Sequence, residues 1–188
     1  MVLRTTFTLL LLCASSSFSF SQDITSHGVT FPSKMKINDK VVKYNGSGLR
    51  EKYFIDLYVG ALYLQNQSSD ANTIINGNEE MCIRIKIVSN KVTRDKFVET
   101  VKEGFAKSSA GKASSDEISA FMEVFSKPFK DGDDIILIYK PNEGVQVVMN
   151  GEKLGSQKGL EFKKALWGIW LGDTPADSGL KNAMLGKL

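Results

Sequence analysis

The sequence predicts an α+β domain: an antiparallel β-sheet with a layer of helices packed on one face. Three observations point there. Strand-type runs are joined by short turn signals, Asn38-Asp39, Pro141-Asn142-Glu143-Gly144 and Asn150-Gly151, which build hairpins and therefore antiparallel neighbours. Residues 81–88 alternate between apolar and polar, as a half-buried strand does. The helical patterns come in blocks instead of recurring after every strand, which excludes a doubly wound parallel sheet.

The elements follow in order. Gln22–His27 is expected as a frayed leader, and Val29–Phe31, Met35–Ile37 and Val41–Tyr44 as short strands. Gly46-Ser47-Gly48 reads as a tight turn that delivers Arg50 to the mouth of one long apolar strand, Glu51–Leu64. Asp70 or Ser69 caps a brief helix through Ile75, stopped by Asn76-Gly77. In Met81–Val88, Ile83, Ile85 and Ile87 share one face, with Cys82, Arg84 and Lys86 on the other.

Thr93 can cap a helix on which Phe97, Val101 and Phe105 recur every four residues. Gly104 lies on that helix, where glycine costs about 1 kcal/mol against alanine, so something is expected to approach it closely. Ser114-Ser115-Asp116-Glu117 is a capping box. It opens a helix with Ile118, Phe121, Met122 and Phe125 on one face, ended by Pro128. Asp134–Tyr139 and Val145–Met149 are strands, and Asn150-Gly151 turns into a third at Lys153-Leu154. Leu160–Leu171 is a helix carrying Trp167 and Trp170, and Asp177–Leu185 is a last short one beyond the Gly172–Pro175 break. The two tryptophans suit either core packing or the wall of a ligand cavity.

The first residues stand apart. Met1–Arg4 is basic, Phe7–Ala14 apolar and Ser15–Ser21 small-residue, the order of a secretory signal cleaved before Gln22. This assigns 1–21 to a signal peptide and 22–188 to one domain, exported to the periplasm or secreted. The apolar run is shorter than the about 20 residues of a membrane span, and Leu12 before Cys13 does not fit a lipobox. Cys82 alone then remains in the domain, so packing replaces disulfides. His27 is the single histidine, which rules out a histidine-rich metal site. A net charge of +3 with scattered lysines does not call for nucleic acid. No metal and no cofactor are expected. Gly46-Ser47-Gly48 lacks the third glycine of a dinucleotide loop, and Asp131-Gly132-Asp133-Asp134 lacks the later glutamate of a calcium loop.

Arg50 is the candidate of interest. Arginine is costly to bury unless paired, so it is either a surface or ion-paired residue, with Asp56 or Glu51 as partner, or the anchor of an anionic ligand. Gly46-Ser47-Gly48-Leu49-Arg50 with Tyr58-Val59-Gly60-Ala61-Leu62-Tyr63-Leu64 resembles the chalcone isomerase family. Phe97–Phe105, Gly144-Val145, Asn150-Gly151, Leu154-Gly155 and Ala165–Asp173 agree with it in order, and the likeness is greatest to the exported bacterial chalcone isomerase-like branch.

The resemblance implies an antiparallel sheet, helices over one face and a ligand cleft between the layers. In the cyclising enzymes an arginine activates a phenolate with help from a strand threonine and a helix tyrosine. Of these the resemblance leaves only Arg50. The threonine position falls on Tyr58, the tyrosine on Phe97, a helix asparagine on Gly104, and a later hydroxyl near Asp177. The resemblance therefore implies a non-catalytic protein binding a fatty acid or similar anionic amphiphile. Arg50 and Tyr58 would hold the carboxylate, and Phe97, Val101 and Gly104 would form a dry wall with room for the tail. An isomerase or lyase acting through Arg50 on a phenolic or enone substrate is one alternative. A structural or partner-binding protein with a self-filled cleft is the other. Intact-mass analysis of protein from the native host should show an N-terminus at Gln22, within about two residues; retention of Met1 would overturn the signal assignment.

Overall fold

The computed structural model describes residues 22–187, so the expected signal segment lies outside the described residues. The chain opens with a hairpin, β1 (Asp23–Ser26) and β2 (Val29–Pro32), paired as a separate two-stranded sheet. This corrects the expected frayed leader: His27 and Gly28 both take positive φ and turn the chain back on itself.

The main sheet has seven antiparallel strands in sequential order. They are β3 (Lys34–Ile37), β4 (Lys40–Lys52), β5 (Ile55–Leu64), β6 (Met81–Ile87), β7 (Asp134–Lys140), β8 (Gly144–Met149) and β9 (Glu152–Gln157). Helix α1 (Ala71–Asn76) lies between β5 and β6 in sequence, capped by Asp70 as its Asn72 N–H donates to the carboxylate. Helices α2 (Arg94–Lys107) and α3 (Ser115–Glu123) fall between β6 and β7. Thr93 caps α2, and Ser114 with Glu117 closes the capping box on α3, which ends well before Pro128. Helices α4 (Leu160–Leu171) and α5 (Ser178–Met184) complete the chain.

The larger core lies between sheet and helices. Leu62, Ile83, Ile85 and Leu137 from the sheet meet Phe105, Phe121, Phe162 and Trp167. The other sheet face is not left to water over the early strands: Phe31 from β2 packs with Val59, Ala61, Tyr63 and Cys82, and the Tyr63 hydroxyl donates to the Pro32 carbonyl at 2.9 Å. Helix α4 is buried almost all round, which is why its apolar residues show little periodicity. Its Lys163, fully buried, donates from Nζ to the carbonyls of Ile74, Ile75 and Gly77 at 2.8–2.9 Å. Three N–H donors thus meet three acceptors at the C-terminal end of α1.

The largest departure from expectation concerns the glycines. Gly46-Ser47-Gly48 is no turn but the middle of β4, and the expected strand over Glu51–Leu64 is the end of β4, a turn and β5. The reversal occurs at Tyr53-Phe54. The glycines serve a long-range packing need. A Cβ on Gly46 would collide with the backbone oxygen of Ala183 on α5. One on Gly48 would stand 2.6 Å from the Ala183 side chain, and one on Gly60, across on β5, 3.3 Å from Leu180. Helix α5 therefore lies directly on a glycine track. Gly46→Ala should destabilise the fold by about 1–3 kcal/mol, the usual cost of overpacking, whereas Ser47→Ala on the opposite face should cost less. Equal urea midpoints for wild type and Gly46→Ala would refute the seam.

Candidate functional site

Arg50 continues the alternation of Gly46 and Gly48 on β4 and so shares their helix-side face. Its register partner on β5 is Tyr58. Because Gly46 meets Ala183 and Gly48 meets Leu180, the next residue on this face, Arg50, comes level with the start of α5 near Asp177. Helix α5 covers the glycines and stops where the arginine begins.

Arg50 is 7 % exposed, yet its Nη1 has no hydrogen-bond partner. It forms no ion pair among the described residues, and Glu51 and Asp56 are exposed and opposite one another in register. Its N–H groups bear on the Tyr58 hydroxyl, and its Cζ lies 5.9 Å from the centroid of the Tyr58 ring. Such a contact contributes about 0.5–2 kcal/mol, against an effective desolvation penalty of several kcal/mol for a buried ion. The cation is under-compensated.

Tyr58 is oriented from behind. The Trp170 indole N–H on α4 donates to its hydroxyl oxygen at 2.9 Å. An indole can only donate, so the phenol proton stays free to be given to something else. Burial pushes the Tyr58 phenol above its ordinary range; the charge and N–H groups of Arg50 and the Trp170 bond pull it back only in part. The group is thus a neutral hydrogen-bond donor beside a cation.

The strand pairing shifts register between Arg50 and Glu51, leaving Leu57 as an extra residue on β5. Leu57 and Tyr58 both line the cavity in front of them, although successive strand residues ordinarily face opposite ways. That cavity has a volume of about 360 Å³ between the β4–β5 hairpin and α2, within the range of small-molecule sites. Arg50 and Tyr58 stand at one end, Ile55 and Tyr53 at the other, and Val92 and Phe97 contribute apolar side chains. A second cavity of about 250 Å³ adjoins it across Arg50, Lys52, Thr100 and Glu103 and extends to Gly104 and Thr174.

The fold thus brings Arg50, Tyr58 and Phe97 to one cavity. Val101 is buried in the core and lines neither. Gly104 borders the second cavity, but the room expected for a tail there is occupied: a Cβ would stand 2.7 Å from Ile169 on α4. Its absent side chain serves helix packing. Nor is the α2 wall dry, since Thr100, Glu99 and Glu103 line it beside Phe97. Thr100 lies one turn from Phe97, a spacing that could have flagged it. Trp170 was legible as a candidate wall residue, but its hold on Tyr58 was not. Lys52, Lys91 and Lys96, which also line the first cavity, carry no local signal that separates them from other surface lysines. Behind the cavity the space is filled with rings: Phe97 lies 5.3 Å from Phe125 and 5.0 Å from Phe129, and Phe121 5.2 Å from Phe162.

Residues 23–186 match the model of a family described as chalcone isomerase-like. No curated protein sequence matches. Among solved structures, the chain is similar to the crystal structure of a fatty-acid binding protein from Arabidopsis thaliana. The TM-score is 0.71 at 20 % identity, covering 87 % of this chain and 96 % of the plant chain. At that identity the likeness speaks for the fold.

The under-compensated cation has a direct consequence. Arg50→Met should keep the fold and raise its stability, on the order of 1 kcal/mol or more, because an apolar side chain of similar length replaces a buried charge. A lower denaturation midpoint for Arg50→Met would show that the guanidinium is a structural tie instead.

Proposed function

The chain belongs to the chalcone isomerase-like family, and from that premise we propose that it binds a fatty acid or similar anionic amphiphile without transforming it. The observation that carries this reading is the pair of unused donors: a buried guanidinium nitrogen without a partner beside a phenol whose proton is free. A carboxylate accepts both. Guanidinium offers parallel charge-assisted bonds, and the Tyr58 hydroxyl adds a third. Protein side chains leave these donors unmet, which costs stability and is reasonable if a ligand meets them.

The tail would run along the hairpin, past Leu57 and Ile55 towards Tyr53, because the space between the layers is already filled by phenylalanines. The absence of turnover rests on the α2 positions that the family resemblance singles out, although Thr100, Glu99 and Glu103 also line that wall. Phe97 and Gly104 bring no hydroxyl or amide, and burial makes Tyr58 a weaker acid than an ordinary phenol. Export is part of the proposal and rests on the first 21 residues of the sequence.

The test is calorimetric titration of a medium-chain fatty acid into wild type, Arg50→Ala, Tyr58→Phe and the double variant. Arg50→Ala should cost about 2–5 kcal/mol of binding, as truncation of one partner in a buried charged contact does. Tyr58→Phe should cost about 0.5–1.5 kcal/mol, the worth of one hydrogen bond. The two losses should not add, because both donors serve one acceptor. Undiminished affinity in Arg50→Ala would end the carboxylate reading, and turnover of a phenolic or enone substrate that depends on Arg50 would favour the isomerase.

A further inference from the structure

The β4–β5 hairpin ends in a way that folding alone does not explain. Its two-residue turn is Tyr53-Phe54, and both residues take positive φ, 53° and 61°. Such turns favour asparagine and glycine, and a bulky residue in this region costs about 1–3 kcal/mol. Both aromatic side chains are nevertheless thrust into solvent: Tyr53 is 84 % and Phe54 97 % exposed, with Ile55 at 40 %. Strained backbone therefore presents apolar surface whose one ring contact is the Lys52 ammonium, 5.6 Å from the Tyr53 centroid, while the Phe54 ring packs on nothing among the described residues. Tyr53 and Ile55 also form the outer end of the cavity whose inner end is Arg50 and Tyr58.

We propose that this hairpin tip docks the protein on a lipid bilayer, inserting Phe54 with Tyr53 and Ile55 at the interface so that the cavity mouth opens against the membrane. The area decides between occupants. Aromatic side chains bring about 150–250 Å² each, so the tip offers roughly 400–500 Å². A stable contact with a second copy or a protein partner takes about 800 Å² per side. A bilayer asks for no matching surface, and it takes aromatic rings at its headgroup level. On the cavity side Lys52, Lys91 and Lys96 stand exposed beside Glu99 and Glu103, and Glu51 and Asp56 stand exposed on the hairpin itself, so the charges around the tip nearly cancel. Insertion of the rings, and not electrostatic attraction, therefore supplies the hold. The placement is independent of the carboxylate site; only its purpose, passing an amphiphile between bilayer and cavity, rests on the reading above.

The test uses flotation of the 22–188 protein with phosphatidylcholine vesicles, with and without phosphatidylglycerol, free of added fatty acid. Wild type should float with both, with little dependence on the anionic lipid. Phe54→Gly should lower vesicle affinity roughly ten- to a hundredfold, the worth of burying one phenylalanine. It should also melt higher, since glycine suits φ of 61°, so lost docking could not be ascribed to misfolding. Phe54→Trp should retain docking and shift its emission to the blue on vesicles. Arg50→Met should dock as wild type does, which separates this proposal from the ligand reading. Wild type that floats with neither vesicle, Phe54→Gly that floats undiminished, or a tip-dependent dimer by light scattering would each overturn it.

Discussion

The close seating of α5 on the glycine track of β4 and β5 is the constraint from which the site follows. A Cβ at Gly46, Gly48 or Gly60 would press on Ala183 or Leu180 of the helix, and the three glycines leave that space open. The backbone of α5 then lies almost on the sheet. Large side chains there would lift α5 and open the sheet face along its whole length. With glycines the face is sealed up to Gly48 and becomes available only at Arg50. The boundary between core and cavity is therefore set by the spacing of two glycines and an arginine on one strand. The hydrogen bond from Asn45 Nδ2 to the Met184 carbonyl, 2.8 Å long, ties the other end of α5 to the same strand.

Beyond that boundary the protein leaves polar groups in an unusual state. Most buried donors are satisfied, as the three carbonyls around Lys163 illustrate. The contrast with Arg50 is instructive: both are buried basic side chains, but Lys163 has three carbonyl acceptors while Nη1 of Arg50 has none. Tyr58 is held by a donor, Trp170, instead of an acceptor. Had an acceptor faced it, the phenol proton would be consumed. The arrangement leaves two donors unmet side by side next to an apolar wall, whereas the other buried donor without a partner, the Trp167 indole N–H, lies in the core on α4.

The hairpin tip stores cost differently, in backbone conformation and exposed rings. The register shift at Leu57 connects the two regions. It turns one more apolar side chain into the cavity, so that the wall is continuous from Tyr58 to the tip. Polar end, apolar wall and exposed aromatic end lie along one hairpin, which makes the amphiphilic character of the site a property of two paired strands.

Much of this was local enough to be legible. Thr93, Ser114 with Glu117, and Asp70 cap the helices they were expected to cap, because a cap is a bond between residues two or three apart. Alternation placed Ile83, Ile85 and Ile87 on one face of β6. The reading of Gly46-Ser47-Gly48 as a turn failed because glycine looks the same whether it serves a bend or a helix arriving from more than a hundred residues later. Gly104 misled for the same reason: the side chain that fills its space, Ile169, sits on another helix. The turn itself went unseen because Tyr53-Phe54 violates local turn chemistry. Sequence by itself determined the α+β class, the caps that open the first three helices, and Arg50 as the residue to follow. Tertiary structure alone decided what each glycine admits, that one guanidinium nitrogen has no partner, and that the phenol proton is left free, since each depends on atoms brought together only by packing distant elements.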